Sequence, residues 1–497
     1  MEFEAASYWF QCLQTSFYVL LFSLTITSSL SLFIFVLRVK FWCKCDVCNV
    51  YLTSNWSIKF DNLCDWYTHL LKNSPTRTIH IHVLGNTITA NPDNIEYILK
   101  TNFDNYPKGK SFHVILGDLL GHGIFNVDGE QWKFQRKMAS LELGSVSIRS
   151  YAFENVKNEI QNRLLPLFCT KEDVLIDLQD VFRRFAFDTI CKFSSGLDPG
   201  CLELSLPISE FAMAFDLASK LSAERALSPT PLIWKIKRLL NLGTEKKLKE
   251  AITKVNTLAD EIIQQKRRSG FNKHQDLLST FMGTVENDDI YLRDIVISFI
   301  LAGRDTVASA LTSFFWLVAN HPEVESFILD ESNRVMRPSQ ELASFEQIQE
   351  MPYLQAALYE SMRLYPPVQF DSKFAEKDDV LPDGTYVKKG TRVTYHTYAM
   401  GRMEELWGPD CYEFKPERWL KKGLFSPVSP FKYPVFHAGF RVCLGKELAL
   451  VEMKSVVVSL IRRFEIRVVE SGRAPRFSPG LTATVKGGLP VLVRKRT

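Results

Sequence analysis

The stretch Phe436–Gly445, read as FHAGFRVCLG and followed by an apolar-periodic run from Lys446 to Phe464, constrains this chain more than any other. Its single cysteine stands on a turn that opens into a helix. There the first backbone N–H groups are free and the helix end is positive, conditions that favour a thiolate. Cys443 is therefore the candidate metal ligand. Gly439 permits a tight bend, Gly445 lets a flat group approach, and Arg441 offers a guanidinium able to bind a carboxylate. A free Cys in a turn is usually just a small buried hydrophobe. A thiolate, room for a plane and a carboxylate partner together describe a haem site.

The frame Phe436, Gly439, Arg441, Cys443 and Gly445 resembles the haem-binding loop of the cytochromes P-450, in which one Cys thiolate is the proximal ligand of haem b iron. Phe440 departs from it, since the family usually has a small residue or Pro there. The resemblance covers roughly residues 70–497 and implies a mainly α fold with small β-sheets.

The N-terminal segment has a different character. No charged residue lies between Glu4 and Arg38, and Phe17–Leu37 is 21 residues of mostly Leu, Phe, Ile, Val, Ser and Thr, enough for one membrane-spanning helix. A cleaved signal peptide would have a shorter apolar region and a basic start, whereas this one carries Glu2 and Glu4. Arg38, Lys40 and Lys44 follow the span, so the body is expected on the cytosolic side, and the resemblance implies that the membrane is that of the endoplasmic reticulum. The division expected is an anchor over 1–40, a linker over 41–70 and a monooxygenase body over 71–497. Ten scattered Cys fit reduced thiols better than a disulfide scaffold, and a net charge of +4 is too small to indicate nucleic acid. Cys43, Cys45 and Cys48, with Cys64 and His69 downstream, superficially suggest zinc. Their spacing fits no ordinary paired-ligand site, so we read them as membrane-proximal thiols or acylation sites and expect no metal.

Beyond the linker, Thr78–Val83 and Thr87–Ala90 are β-rich and separated by Gly85-Asn86, a hairpin signal. Helical periodicity follows over Asn155–Leu167, Leu178–Ser194, Ile208–Ala226, Glu245–Arg268 and Leu292–Asn320. Short strands return at Thr385–Val387, Arg392–Tyr395 and Leu489–Val493.

Three further stations bear on chemistry. Trp132 and Arg136, at i and i+4, share a helix face. In isolation they read as a Trp–Arg stack; the resemblance implies that both reach the haem propionates. Leu301-Ala302-Gly303-Arg304-Asp305-Thr306 places an acid, an alcohol and a Gly in the middle of an apolar helix, a local violation of the kind that marks function. A purely structural reading pairs Asp305 with Arg304 and returns the Thr306 hydroxyl to a backbone carbonyl. The resemblance implies that Thr306 and Asp305 organise protons for O₂ activation. Glu360 and Arg363, an i,i+3 pair, read as structural, and the resemblance adds Arg418 to a buried network bracing the haem loop.

No GxGxxG or Walker loop is visible, so electrons are expected from NADPH through a separate P-450 reductase. Arg136, Lys137, Arg441 and Lys446 are the expected basic surface for that acidic partner. The phrases around Phe103–Gly109, Gly117–Gly121, Gly123–Asn126 and Pro367–Ser372 resemble plant P-450 enzymes that ω-hydroxylate fatty acyl chains. The subfamily most resembled oxidises jasmonoyl-isoleucine to the alcohol and the acid; His122 stands where these relatives usually carry Arg. The small anionic acyl substrate is expected to meet walls of Phe112, Leu116, Phe125, Val368, Phe370 and Leu481, with Lys108, Lys110 and His113 as candidate carboxylate anchors. A general fatty-acid ω-hydroxylase is the runner-up. From another class comes a haem-thiolate ligand-binding protein or peroxide isomerase, disfavoured because such relatives lack the Thr that stands at 306.

Overall fold

Helix α1 (Glu2–Trp42) carries an apolar window, Leu13–Phe33, no part of which packs on the body. Phe17, Leu20, Phe22 and Phe33 are all exposed around it. Such a helix is stable in lipid and costly in water, which fits a membrane anchor. A second apolar stretch, Asp289–Ala319, is 72% buried and belongs to the core. The computed structural model describes residues 2–43, 45–171, 173–203, 210–269, 276–284, 288–469, 472, 474–478 and 480–496, with backbone alone for 2–12, 34, 36–42 and 269. Lys44, the start of the 208–226 pattern and the side chains of Arg38 and Lys40 lie outside the described residues.

The 41–70 stretch is not a free linker. Helices α2 (Asp46–Thr53) and α3 (Leu63–Lys72) pack into the body, with Cys48, Trp66, Tyr67 and Leu71 buried against Ile81, Ile88 and Tyr395. Leu63, Tyr67 and Leu71 recur every four residues, which puts them on one face of α3.

Strands β1 (Thr78–Ile81) and β2 (Asn86–Thr89) form the expected hairpin, but its turn differs from the expected two-residue one. A 3₁₀ turn, His82–Leu84, is closed by Gly85 at φ 54°. Asn86 is drawn into β2 instead, where its side-chain oxygen accepts from Thr394 Oγ1 at 2.8 Å. Strand Arg392–Tyr395 lies parallel to β2, and Asp371–Phe374 pairs antiparallel on its far side, Asp371 opposite Tyr395 and Phe374 opposite Arg392.

Most of the rest is helical. The 155–167 pattern is broken into Val146–Glu159, a π-turn at Ile160–Leu164 and Leu165–Thr170, the widened turn falling just before Pro166, which has no N–H to donate. The helices Leu178–Ser195, Pro352–Leu364 and Lys446–Ile461 surround Thr306–Ala319, whose Leu311 and Phe314 are fully buried.

Candidate active site

The Phe436–Gly445 loop is closed by the Cys443 N–H, which donates to Phe436 O at 2.8 Å. Gly439 has φ 62°, and a Cβ there would meet the Leu99 carbonyl oxygen at 2.1 Å, so no other residue fits. Burial pushes the Cys443 thiol up, even though backbone N–H groups of Gly445 and Lys446 and the charges of Arg136 and Lys446 pull the other way. The N–H groups of Gly445 and Lys446 that the helix start turns to the sulfur are the donors expected there from the sequence. Phe440 points outward onto Phe103, ring centroids 5.3 Å apart, and so leaves the inner face of the loop undisturbed.

A cavity of about 640 Å³ lies between this loop and the central helix, with Cys443, Gly445, Ala302, Gly303 and Thr306 on its walls. Nothing lies within 4 Å of where a Gly445 Cβ would be. Arg136 and Arg441 also line it, and Arg441 Nε is buried without a partner. Two guanidiniums, an orphaned donor and open space over the cysteine fit a planar dicarboxylate such as haem. Trp132 is not on the wall. Its ring lies under the Arg441 guanidinium at 4.5 Å and against Phe103, so it steadies Arg441 together with Asp128 Oδ1 (2.5 Å) and Val127 O (3.0 Å). Arg136 donates to Val442 O at 2.6 Å.

Opposite, Leu301–Asp305 is a π-turn between Asp289–Ile300 and Thr306–Ala319. A Cβ at Gly303 would meet Ile190 Cδ1 at 2.4 Å, so the glycine lets Leu178–Ser195 cross closely. Thr306 Oγ1 donates to Ala302 O at 2.6 Å and faces the cavity. Asp305 is not on the cavity wall: Arg304 Nη1 holds it at 3.2 Å and Asp216 at 2.5 Å, while burial raises the Asp305 carboxyl. Both hydrogen bonds of the structural reading are thus present, and Thr306 alone of the pair meets the cavity.

Glu360 accepts two hydrogen bonds from Arg363 at 2.8 Å, one from Arg418 Nε at 3.2 Å and one from Trp419 Nε1 at 2.9 Å. Its neighbour Tyr359 meets Phe436 of the loop, ring centroids 6.1 Å apart. Arg363 also caps the carbonyls of Gly401, Cys411 and Glu413, which ties the network to the segment ahead of the loop.

Phe112, Leu116, Phe125, Val368, Phe370 and Leu481 all line the cavity. The anchors fare differently. Lys110 is exposed and His113, bonded to Asn126 at 2.8 Å, is not on the wall. Lys108 is on the wall but already paired with Asp371 at 2.5 Å. That pair belongs to a network the sequence reading missed, Asp371 also taking Lys373 (3.0 Å) and Tyr395 OH (3.1 Å), with Tyr395 bonded in turn to His437 (2.6 Å). Burial alone would raise Asp371, but Lys108 and Lys373 hold it well below the carboxylate range; burial pushes His437 down to about 4. An acid and a base two apart on one strand were its only local signal. His122 is exposed, its ring beside His113 and its N–H on Asp294. The expected basic surface also needs correction: Arg441 is turned inward onto Asp128 and Arg136 into the cavity, Lys446 is half-buried, and Lys137 alone of the four is exposed.

The family model for Cytochrome P450 matches residues 64–490. The chain belongs to the cytochrome P450 family. It is 60% identical over 491 residues to Cytochrome P450 94C1 of Arabidopsis thaliana, covering 97% of this chain and 99% of that protein. Cytochrome P450 94B1 of the same plant is 50% identical over 452 residues (87% and 88%), and Cytochrome P450 94A1 of Vicia sativa 45% over 448 (87% and 86%). This P450 is accordingly a monooxygenase that uses haem b, O₂ and electrons from NADPH delivered by a reductase.

Proposed function

We propose that this P450 oxidises the terminal carbon of an anionic acyl chain, with jasmonoyl-isoleucine as substrate and fatty acids as the runner-up, from the endoplasmic reticulum membrane with its body in the cytosol. The observation that carries the substrate class is Arg392. Its side chain lines the otherwise mostly apolar cavity and is held by Ser372 Oγ (2.9 Å) and Ala226 O (2.8 Å), with no ion pair among the described residues. A half-buried guanidinium whose nearest carboxylate, Asp371, is already held by Lys108 and Lys373 is a site for a further carboxylate. Along its strand Arg392 lies about 10 Å beyond Tyr395, which holds His437 of the Cys443 loop, leaving length for an acyl chain.

In this reading Cys443 would ligate the haem iron, Arg136 and Arg441 would hold the propionates, and Gly445 would leave room for the ring. The haem, when bound, supplies the iron that activates O₂. A terminal methyl has the strongest C–H bonds of its chain, so terminal attack must come from walls that hold it in place. Phe112, Phe125, Val368 and Phe370 are those walls, and Thr306 presents its hydroxyl to the reacting space.

Microsomes with reductase, given a panel of carboxylates and their methyl esters and analysed by mass spectrometry, test the proposal. Arg392→Leu should raise KM for the acids roughly 10- to 100-fold, the loss of one charge-assisted hydrogen bond of about 1.5–3 kcal/mol, and leave the esters unaffected. Equal losses on acid and ester would remove Arg392 as the anchor. Phe370→Ala should shift product toward in-chain alcohols; an unchanged mixture takes Phe370 out of the wall.

A further inference from the structure

A second group of ligand atoms gathers away from the cavity, where α1 meets the body. The Sγ atoms of Cys43, Cys45 and Cys48 and one ring nitrogen of His82 all lie within 4.8 Å of one another. From the sequence this run, with Cys64 and His69 downstream, was set aside because its spacing fits no ordinary paired-ligand site. The fold sends both elsewhere: Cys64 is buried and donates to Gln369 Oε1 at 3.2 Å, and the His69 ring meets the Asn73 amide at 3.3 Å. His82 is brought in instead, on the turn between β1 and β2.

We propose that Cys43, Cys45, Cys48 and His82 bind one zinc ion. Tetrahedral zinc, with bonds of about 2.0–2.3 Å, holds its ligand atoms roughly 3.3–3.8 Å apart. Here Cys43 Sγ and Cys45 Sγ are 3.1 Å apart, and Cys45 Sγ is 3.9 Å from His82 Nδ1, so small side-chain shifts close the tetrahedron. All three cysteines are free thiols. Three sulfurs and an imidazole make a closed set of the kind used by structural zinc, and soft sulfur excludes magnesium and calcium. The surroundings support it. The Val83 N–H donates to Cys48 Sγ at 3.4 Å, and Cys45 and Cys48 flank the first turn of α2, where the helix end favours negative charge. Three separate places supply the ligands: the residue just after α1, the start of α2 and the β1–β2 turn. The ion would therefore fasten the exit of the apolar helix to the sheet that carries Arg392, across a stretch with no Pro to stiffen it.

The test uses the full-length haem protein in lipid nanodiscs, purified without chelators, with zinc per haem measured by mass spectrometry and its shell by X-ray absorption at the zinc edge. One zinc per haem is expected, with sulfur at about 2.3 Å and nitrogen at about 2.0–2.1 Å. Cys45→Ser and His82→Ala, both at accessible positions, should bring zinc to background with haem content unchanged, and Cys169→Ser should keep it. If either variant fails to retain haem, Cys43→Ser replaces it. Wild-type protein without zinc after dialysis against the metal, zinc retained when all three thiols are serine, or thioester-linked acyl groups on these cysteines would each overturn the proposal.

Discussion

Cys443→Ala should lose the long-wavelength Soret band that thiolate ligation gives the reduced, CO-bound haem, and turnover should fall by more than ~10²-fold, beyond the cost of disturbing a ligand's supporting shell. The protein should still fold. The loop is held by bonds that do not involve the sulfur, chiefly Cys443 N–H to Phe436 O and the Gly439–Leu99 contact. In the proposed reading Arg136 and Arg441 still hold the propionates, so a haem without its thiolate is the expected species, read directly by the CO difference spectrum. A variant that keeps the band would show that another group ligates the iron.

The second large effect is expected at Thr306. Its hydroxyl hydrogen is committed to Ala302 O at 2.6 Å, so what it turns to the cavity is a pair of acceptor lone pairs. Thr306→Val, close in shape but without the hydroxyl, should bind haem and substrate and consume NADPH, yet lose product formation by ~10²-fold, with hydrogen peroxide taking up the electrons. Thr306→Ser should restore much of the coupling. If the Val variant couples NADPH to product as well as the native enzyme does, the hydroxyl only closes the π-turn. The comparison matters because the same hydroxyl also bonds back to the Ala302 carbonyl inside the π-turn.

The haem loop was legible because its information is local: five positions within ten residues dictate a bend, a helix start, a sulfur and a cation. The helices were legible for the same reason, since apolar periodicity places a face without needing to know what it meets. Where one turn changed character, as at Pro166 and at Leu301–Asp305, the pattern showed the helix and not the π-turn inside it. Trp132 and Arg136 share a face, as their spacing says, yet Arg136 meets the cavity and Trp132 supports Arg441. Spacing fixes direction relative to one helix axis and says nothing of what stands opposite.

By itself, then, the sequence determined the family frame, the apolar N-terminal helix, the thiol, the i,i+3 Glu360–Arg363 pair and the apolar residues available as walls. Tertiary structure decided the partners. Arg392 reaches the cavity because its strand lies in parallel register beside β2, and Lys108 is consumed by Asp371 because a separate strand brings that carboxylate to it. His82 joins three cysteines because α2 packs against the β1–β2 hairpin. Each of these contacts joins residues far apart in the chain, and their meeting depends on strand register and helix packing, set by the burial of many apolar side chains rather than by any residue near the pair.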